Sequence, residues 1–100
     1  MILAEKLIWD GLKIPDYIIW KDSDEDIVLF DSMRGCYFSL DDVASAIWKH
    51  IPKNESLETT IEALMDVYHA DRPTIESDVI RFVENSMEKG LLIVAERETT

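Results

Sequence analysis

The 100-residue chain has one cysteine, Cys36. No disulfide can therefore form within it, which excludes a secreted scaffold stapled by disulfides. Glycine and proline number three each, too few for a flexible linker, a collagen-like repeat or a low-complexity tract. No window approaches the ~18 consecutive apolar residues of a membrane-spanning helix. The first twelve residues carry Glu5, Lys6 and Asp10 and lack a basic start, an unbroken apolar core and a small-residue cleavage site, so they do not read as a signal peptide. Together these absences predict a cytoplasmic protein.

Positive charge is heavily outweighed by negative. Ten Lys and Arg stand against 21 Asp and Glu, a net charge of −11. A field of that sign repels phosphate backbones and anionic head groups, so neither nucleic acid nor a membrane surface is an expected partner. What is abundant is ordinary globular material. Apolar residues make up 47% of the chain, and the length suits one domain of about 100–150 residues with a single modest core.

Residues 17–40 read as strands. Tyr17-Ile18-Ile19-Trp20, Ile27-Val28-Leu29-Phe30 and Cys36-Tyr37-Phe38 are short runs rich in β-branched and aromatic residues. The acidic cluster Asp22–Asp26 and the polar turn Asp31–Gly35 separate them, a pattern that favours an antiparallel meander. Gly35 can supply the positive φ that closes such a turn. The period then becomes helical. Leu40, Val43, Ala44, Ile47, Trp48 and Ile51 form one stripe, opened by Ser39 or Asp41 as cap and closed by Pro52. A second helix opens at Ser56, with Leu57, Ile61, Leu64, Met65 and Tyr68 on one face. A third runs from about Pro73 to Lys89, with Ile75, Val79, Phe82, Val83 and Met87 inward. Asp71 or Thr74 caps it and Gly90 takes the left-handed position after it. Leu91–Val94 is a last extended piece. The predicted fold is α+β and winged-helix-like: a three-stranded antiparallel β-meander followed by three α-helices.

No catalytic constellation stands out. A nucleophilic cysteine needs a base within reach, and the only histidines, His50 and His69, fall on predicted helix surfaces or ends. Cys36 reads as a small hydrophobe in a sheet. Asp22, Asp24 and Asp26 match the first ligand positions of an EF-hand loop, but Ile27 replaces its glycine and Met33 its bidentate Glu. No metal or cofactor is expected, and the protein is not expected to be an enzyme. A winged-helix transcription regulator is the alternative from another class. Its third helix would hold only Arg81 and Lys89 against Glu76, Asp78, Glu84 and Glu88, and its wing would be the acidic Lys21–Asp26 turn. A small acidic protein-interaction module is a further alternative.

Peptide binding remains. A three-stranded meander leaves two edges with unpaired N–H and C=O groups, which are templates for strand addition. The strand at Gly35–Phe38 is one such edge, and a third helix packed beside it would complete a groove. At this level the other reading also stands, in which both edges are blunted and Tyr37 and Phe38 are core.

From Leu12 to Val94 the chain resembles the coenzyme PQQ synthesis protein D (PqqD) family, whose fold recognises leader segments of ribosomally made, modified peptides. Four stretches carry the likeness in order: Ile27–Asp31 with Gly35-Cys36-Tyr37-Phe38, then Leu40–Trp48, then Glu76–Val83, and finally Lys89-Gly90-Leu91-Leu92. In the second stretch Asp41 stands where the family usually has Asn, a change that keeps capping. The Gly-x-Tyr-Phe and Ile-Trp pairings look most like standalone members serving lasso-peptide pathways.

The resemblance implies a non-catalytic peptide chaperone. It would bind a precursor's leader as a strand antiparallel to the third strand and against the third helix, then present it to a modifying enzyme such as a radical SAM protein or a leader peptidase. Carried over by position, Cys36, Tyr37, Phe38 and Ser39 would supply the strand edge, and Asp78, Arg81, Phe82 and Asn85 the helical side. Phe82 and Val79 could equally be core. On this reading residues 1–11 are an N-terminal extension of open role, 12–94 the recognition domain and 95–100 a polar tail. The extension could add a strand or cover the groove. The protein would be a monomer or a strand-exchanged dimer.

Overall fold

The computed structural model describes residues 8–22, 26–53 and 55–94. Most of the N-terminal extension, the centre of the acidic cluster and the polar tail lie outside the described residues. The elements follow in the order β1 (Leu12–Lys13), β2 (Ile18–Asp22), β3 (Ile27–Asp31), β4 (Cys36–Leu40), α1 (Asp42–His50), α2 (Leu57–Tyr68), α3 (Arg72–Glu88) and β5 (Ile93–Val94). Strands β2, β3 and β4 form an antiparallel meander in that order, and β1 pairs with β5 in a separate two-stranded ribbon. The fold is α+β, as the sequence predicts.

Alternation along the meander decides its two faces. Ile18, Ile27, Leu29 and Leu40 point inward and are buried, whereas Ile19, Val28 and Tyr37 are exposed on the other face. Register runs from Asp31↔Cys36 to Ile27↔Leu40, so the β3–β4 hairpin is closed by residues 32–35. Asp31 builds that turn. Its Oδ1 accepts the amides of Met33 and Arg34, both at 3.0 Å, while its carbonyl accepts the Gly35 amide at 2.7 Å. Gly35 takes φ +71°, the left-handed conformation expected of it.

The helices start at short polar side chains. Asp41 Oδ1 accepts the Ala44 amide at 2.8 Å, and Ser56 Oγ accepts the Thr59 amide at 3.1 Å. Asp71 caps α3 without a side-chain bond, and Pro73 in the first turn has no N–H to satisfy. At the other end the Gly90 amide reaches Met87 O and the Leu91 amide reaches Ser86 O. With Gly90 at φ +77°, this is a Schellman closure that turns the chain back onto the sheet.

The core lies between the inner sheet face and the three helices. Trp48 is fully buried at its centre, with Trp20 and Phe82 set edge-on at centroid distances of 6.0 and 6.4 Å. One feature departs from the sequence reading. Met87 is exposed and Ser86 is buried in its place. Each four-residue step advances about 40° around a helix of 3.6 residues per turn, so Met87 falls about 120° from Ile75 while Ser86 swings back under the stripe. Trp9, outside the expected domain, is 6% exposed and donates its indole N–H to Glu55 O at 2.9 Å.

Candidate functional site

β4 pairs only with β3, so its outer edge carries no strand partner among the described residues. Opposite that edge runs α3, and between them lies an open groove of about 420 Å³. Phe38, Ser39 and Leu40 form the strand wall. Asp78, Arg81, Phe82, Asn85 and Ser86 form the helical wall. These helical positions are spaced i, i+3, i+4, i+7 and i+8, the single face that a 3.6-residue period aligns. Val43, Ala44 and Ile47 of α1 make an apolar floor, and Asp41, Lys89 and Leu91 close the ends.

Of the residues singled out from sequence, Phe38, Ser39, Asp78, Arg81, Phe82 and Asn85 are brought together here. Cys36 and Tyr37 belong to the same strand but do not line the groove. Tyr37 lies on the outer sheet face, 73% exposed, its ring 4.7 Å from Phe30. Cys36 is also exposed, at the start of the strand in which the sequence reading places it. Phe82 is both core and groove, packed edge-on against Trp48 with its other side open. Val79 is core, at 2% exposure.

Charge in the groove is mixed. The Arg81 guanidinium lies 3.9 Å from Asp78, with side chains 69% and 35% exposed. Beyond Asp41, the Tyr68 hydroxyl donates to Asp42 Oδ2 at 3.1 Å. Burial first, then that bond and the charges of Asp42 and Asp41, push the Tyr68 phenol above its ordinary value. At the opposite end Arg34 Nη1 donates to Lys89 O at 3.2 Å, and Tyr17 Oη to Gly90 O at 3.0 Å. These bonds hold the end of α3 against the sheet. Such a groove offers backbone donors and acceptors on one wall and side-chain pockets on the other.

Sequence reasoning missed the α1 floor, because Val43, Ala44 and Ile47 belong to an apolar stripe that reads as core. The histidines take up other tasks. His50 Nδ1 lies 2.6 Å from Glu55 Oε1, and His69 ends α2 in the left-handed conformation. Among the described residues no three His, Cys, Asp or Glu side chains gather as a metal site, and no helix is long and apolar enough to cross a membrane.

Comparison with known proteins fits this geometry. The family profile described as Coenzyme PQQ synthesis protein D (PqqD) matches residues 26–92. The solved structure of TbiB1 in complex with the TbiA(beta) leader peptide is 33% identical, with a TM-score of 0.77 over 85% of this chain and 99% of that one. A lasso peptide synthetase B1 complexed with the leader peptide shares the fold at 24% identity and a TM-score of 0.77, over 83% of this chain and 98% of that one. No curated protein matches the chain.

Proposed function

The chain belongs to the coenzyme PQQ synthesis protein D family, and from that premise we propose that it binds the leader segment of a ribosomally made precursor peptide. The leader enters as a fourth strand, antiparallel to β4, with alternate side chains directed at α3. One observation carries this reading: the edge of β4 that has no strand partner among the described residues faces α3 across a groove with an apolar floor and walls that mix polar and aromatic side chains. Main-chain hydrogen bonds along Cys36–Ser39 give affinity, and Phe82 with Val43 and Ile47 gives an apolar anchor. Asp78, Arg81 and Asn85 set register.

The module is non-catalytic and acts in the cytoplasm, presenting the bound leader to a modifying enzyme such as a radical SAM protein or a leader peptidase. It works as a monomer, and strand exchange through the same edge is the competing use of that surface. The structural relative at 33% identity, solved in complex with a leader peptide, supports the assignment. Charge opposes a DNA-binding role, because α3 presents Glu76, Glu84 and Glu88 beside Arg81.

Fluorescence anisotropy with a labelled leader from a precursor encoded beside this gene tests the proposal. Saturable binding at micromolar protein supports it. Absence of binding to any neighbouring leader at tens of micromolar overturns it.

A further inference from the structure

The groove is electrically polar along its length. Arg34, in the turn just before β4, bonds Lys89 O, so the C-terminal end of α3 lies beside the start of β4. Asp41 follows β4 directly and lines the opposite end of the groove with Asp78. α3 therefore runs against β4, with Lys89 and Arg34 at the Cys36 end and Asp41 and Asp78 at the Leu40 end. Arg81 sits 3.9 Å from Asp78 and offsets one of those two carboxylates. Asp31, 1% exposed, lies 3.9 Å from the Arg34 guanidinium and offsets that charge in part. Among the described residues the Lys89 ammonium has no ion-pair partner. Among the side chains that line the groove, Asp41, Asp78 and Arg81 thus leave one end net negative and Lys89 leaves the other net positive.

The separation of the two ends fixes a peptide spacing. Asp78 and Lys89 are eleven residues apart, about 16 Å along a helix rising 1.5 Å per residue. The five residues of β4 span about 13 Å at 3.3 Å per step. Either length corresponds to about four or five residues of extended peptide, and two side chains share a face only at an even spacing. Resting on the leader-binding reading above, we propose that the groove selects an extended peptide carrying a basic residue followed four positions later by an acidic one. An apolar residue lies midway between them and seats against Phe38 and Phe82. The order follows from antiparallel addition, which brings the peptide in at the Asp41 end and out at the Lys89 end.

The test uses the full chain and a phage-displayed library of twelve-residue peptides with one fixed central Leu. Amide hydrogen exchange on the selected complexes reports whether each peptide adds to β4. The expected outcome is enrichment of Lys or Arg two positions before the Leu and of Asp or Glu two positions after it. Synthetic peptides with the two charges exchanged should bind roughly fivefold more weakly, the scale of two partly screened ion pairs turned repulsive. The Lys89→Glu variant should change the preference after the Leu from acid to base and leave the earlier position unchanged. Binders that protect β4 but show no charge order, or the opposite order, overturn this inference and leave strand addition standing. Recovery of no binder that protects β4 overturns both.

Discussion

The Tyr17 hydroxyl donates a 3.0 Å hydrogen bond to the carbonyl of Gly90, across 73 residues of sequence. The bond ties the residue before β2 to the point where α3 ends and the chain turns back. Arg34 makes a parallel bond to Lys89 O. Because the groove lies between β4 and α3, these two bonds set the position of its helical wall.

Tyr17→Phe removes one of them and leaves a carbonyl to be solvated. A typical intramolecular hydrogen bond contributes about 0.5–1.5 kcal/mol, so urea denaturation should show a loss in that range. Affinity for the leader should fall in the same variant. Gly90→Ala should cost about 1–2 kcal/mol, because φ is +77° there. An added Cβ would meet Arg34 Nη2 at 3.5 Å and Tyr17 Oη at 3.8 Å, ordinary contacts, so backbone strain and not collision sets the cost.

Arg81→Glu should weaken leader binding while leaving the thermal midpoint almost unchanged. The side chain is 69% exposed and its ion pair with Asp78 is long, at 3.9 Å. Substitutions at such places usually stay within about 0.5 kcal/mol. A large drop in the midpoint would show Arg81 to be structural. Phe82→Ala does not separate the two roles, since truncating a packed Phe costs about 3–5 kcal/mol in either case.

Ser45→Ala should cost about 1–3 kcal/mol of stability, read from the denaturation midpoint. The buried Ser45 hydroxyl accepts the Ile27 amide at 3.0 Å and donates to Leu40 O at 3.2 Å, joining α1 to both β3 and β4. Its loss leaves a buried amide unpaired. Thr60→Val should do the reverse. Thr60 is fully buried and its hydroxyl has no hydrogen-bond partner among the described residues, so replacing it by a methyl group should raise stability by about 1 kcal/mol.

Tyr68 gives a pH signature. Its phenol is held above the ordinary value of 10.0 by burial and by Asp42. The folded state then keeps the proton over a range where the unfolded chain has lost it. Stability is fully present below pH 10.0 and declines as pH rises through the interval up to the raised value. Tyr68→Phe should flatten that decline in alkaline denaturation curves.

Most of the architecture was legible in local pattern. The β3–β4 turn declared itself through Asp31 and Gly35, the helix starts through Asp41 and Ser56, and the end of α3 through Gly90. What was not legible depends on distant partners. Nothing near Trp9 in sequence announces that its indole meets Glu55 O, and nothing near Ser45 announces the amide of Ile27. The exchange of Met87 for Ser86 needed the drift of a helix stripe followed over three turns. For the site, the family likeness singled out eight residues. Six line the groove, while the α1 floor stayed hidden because an apolar wall facing a ligand has the same sequence pattern as one facing a core.

Amide hydrogen exchange on the complex tests the central claim most directly. The free protein and the protein saturated with its leader are compared residue by residue along both edges of the meander. Strand addition at β4 predicts slowed exchange at alternate amides of Cys36–Leu40, with the outer edge of β2 unchanged. Saturable binding with no added protection in Cys36–Leu40, or with protection along β2 instead, would contradict it.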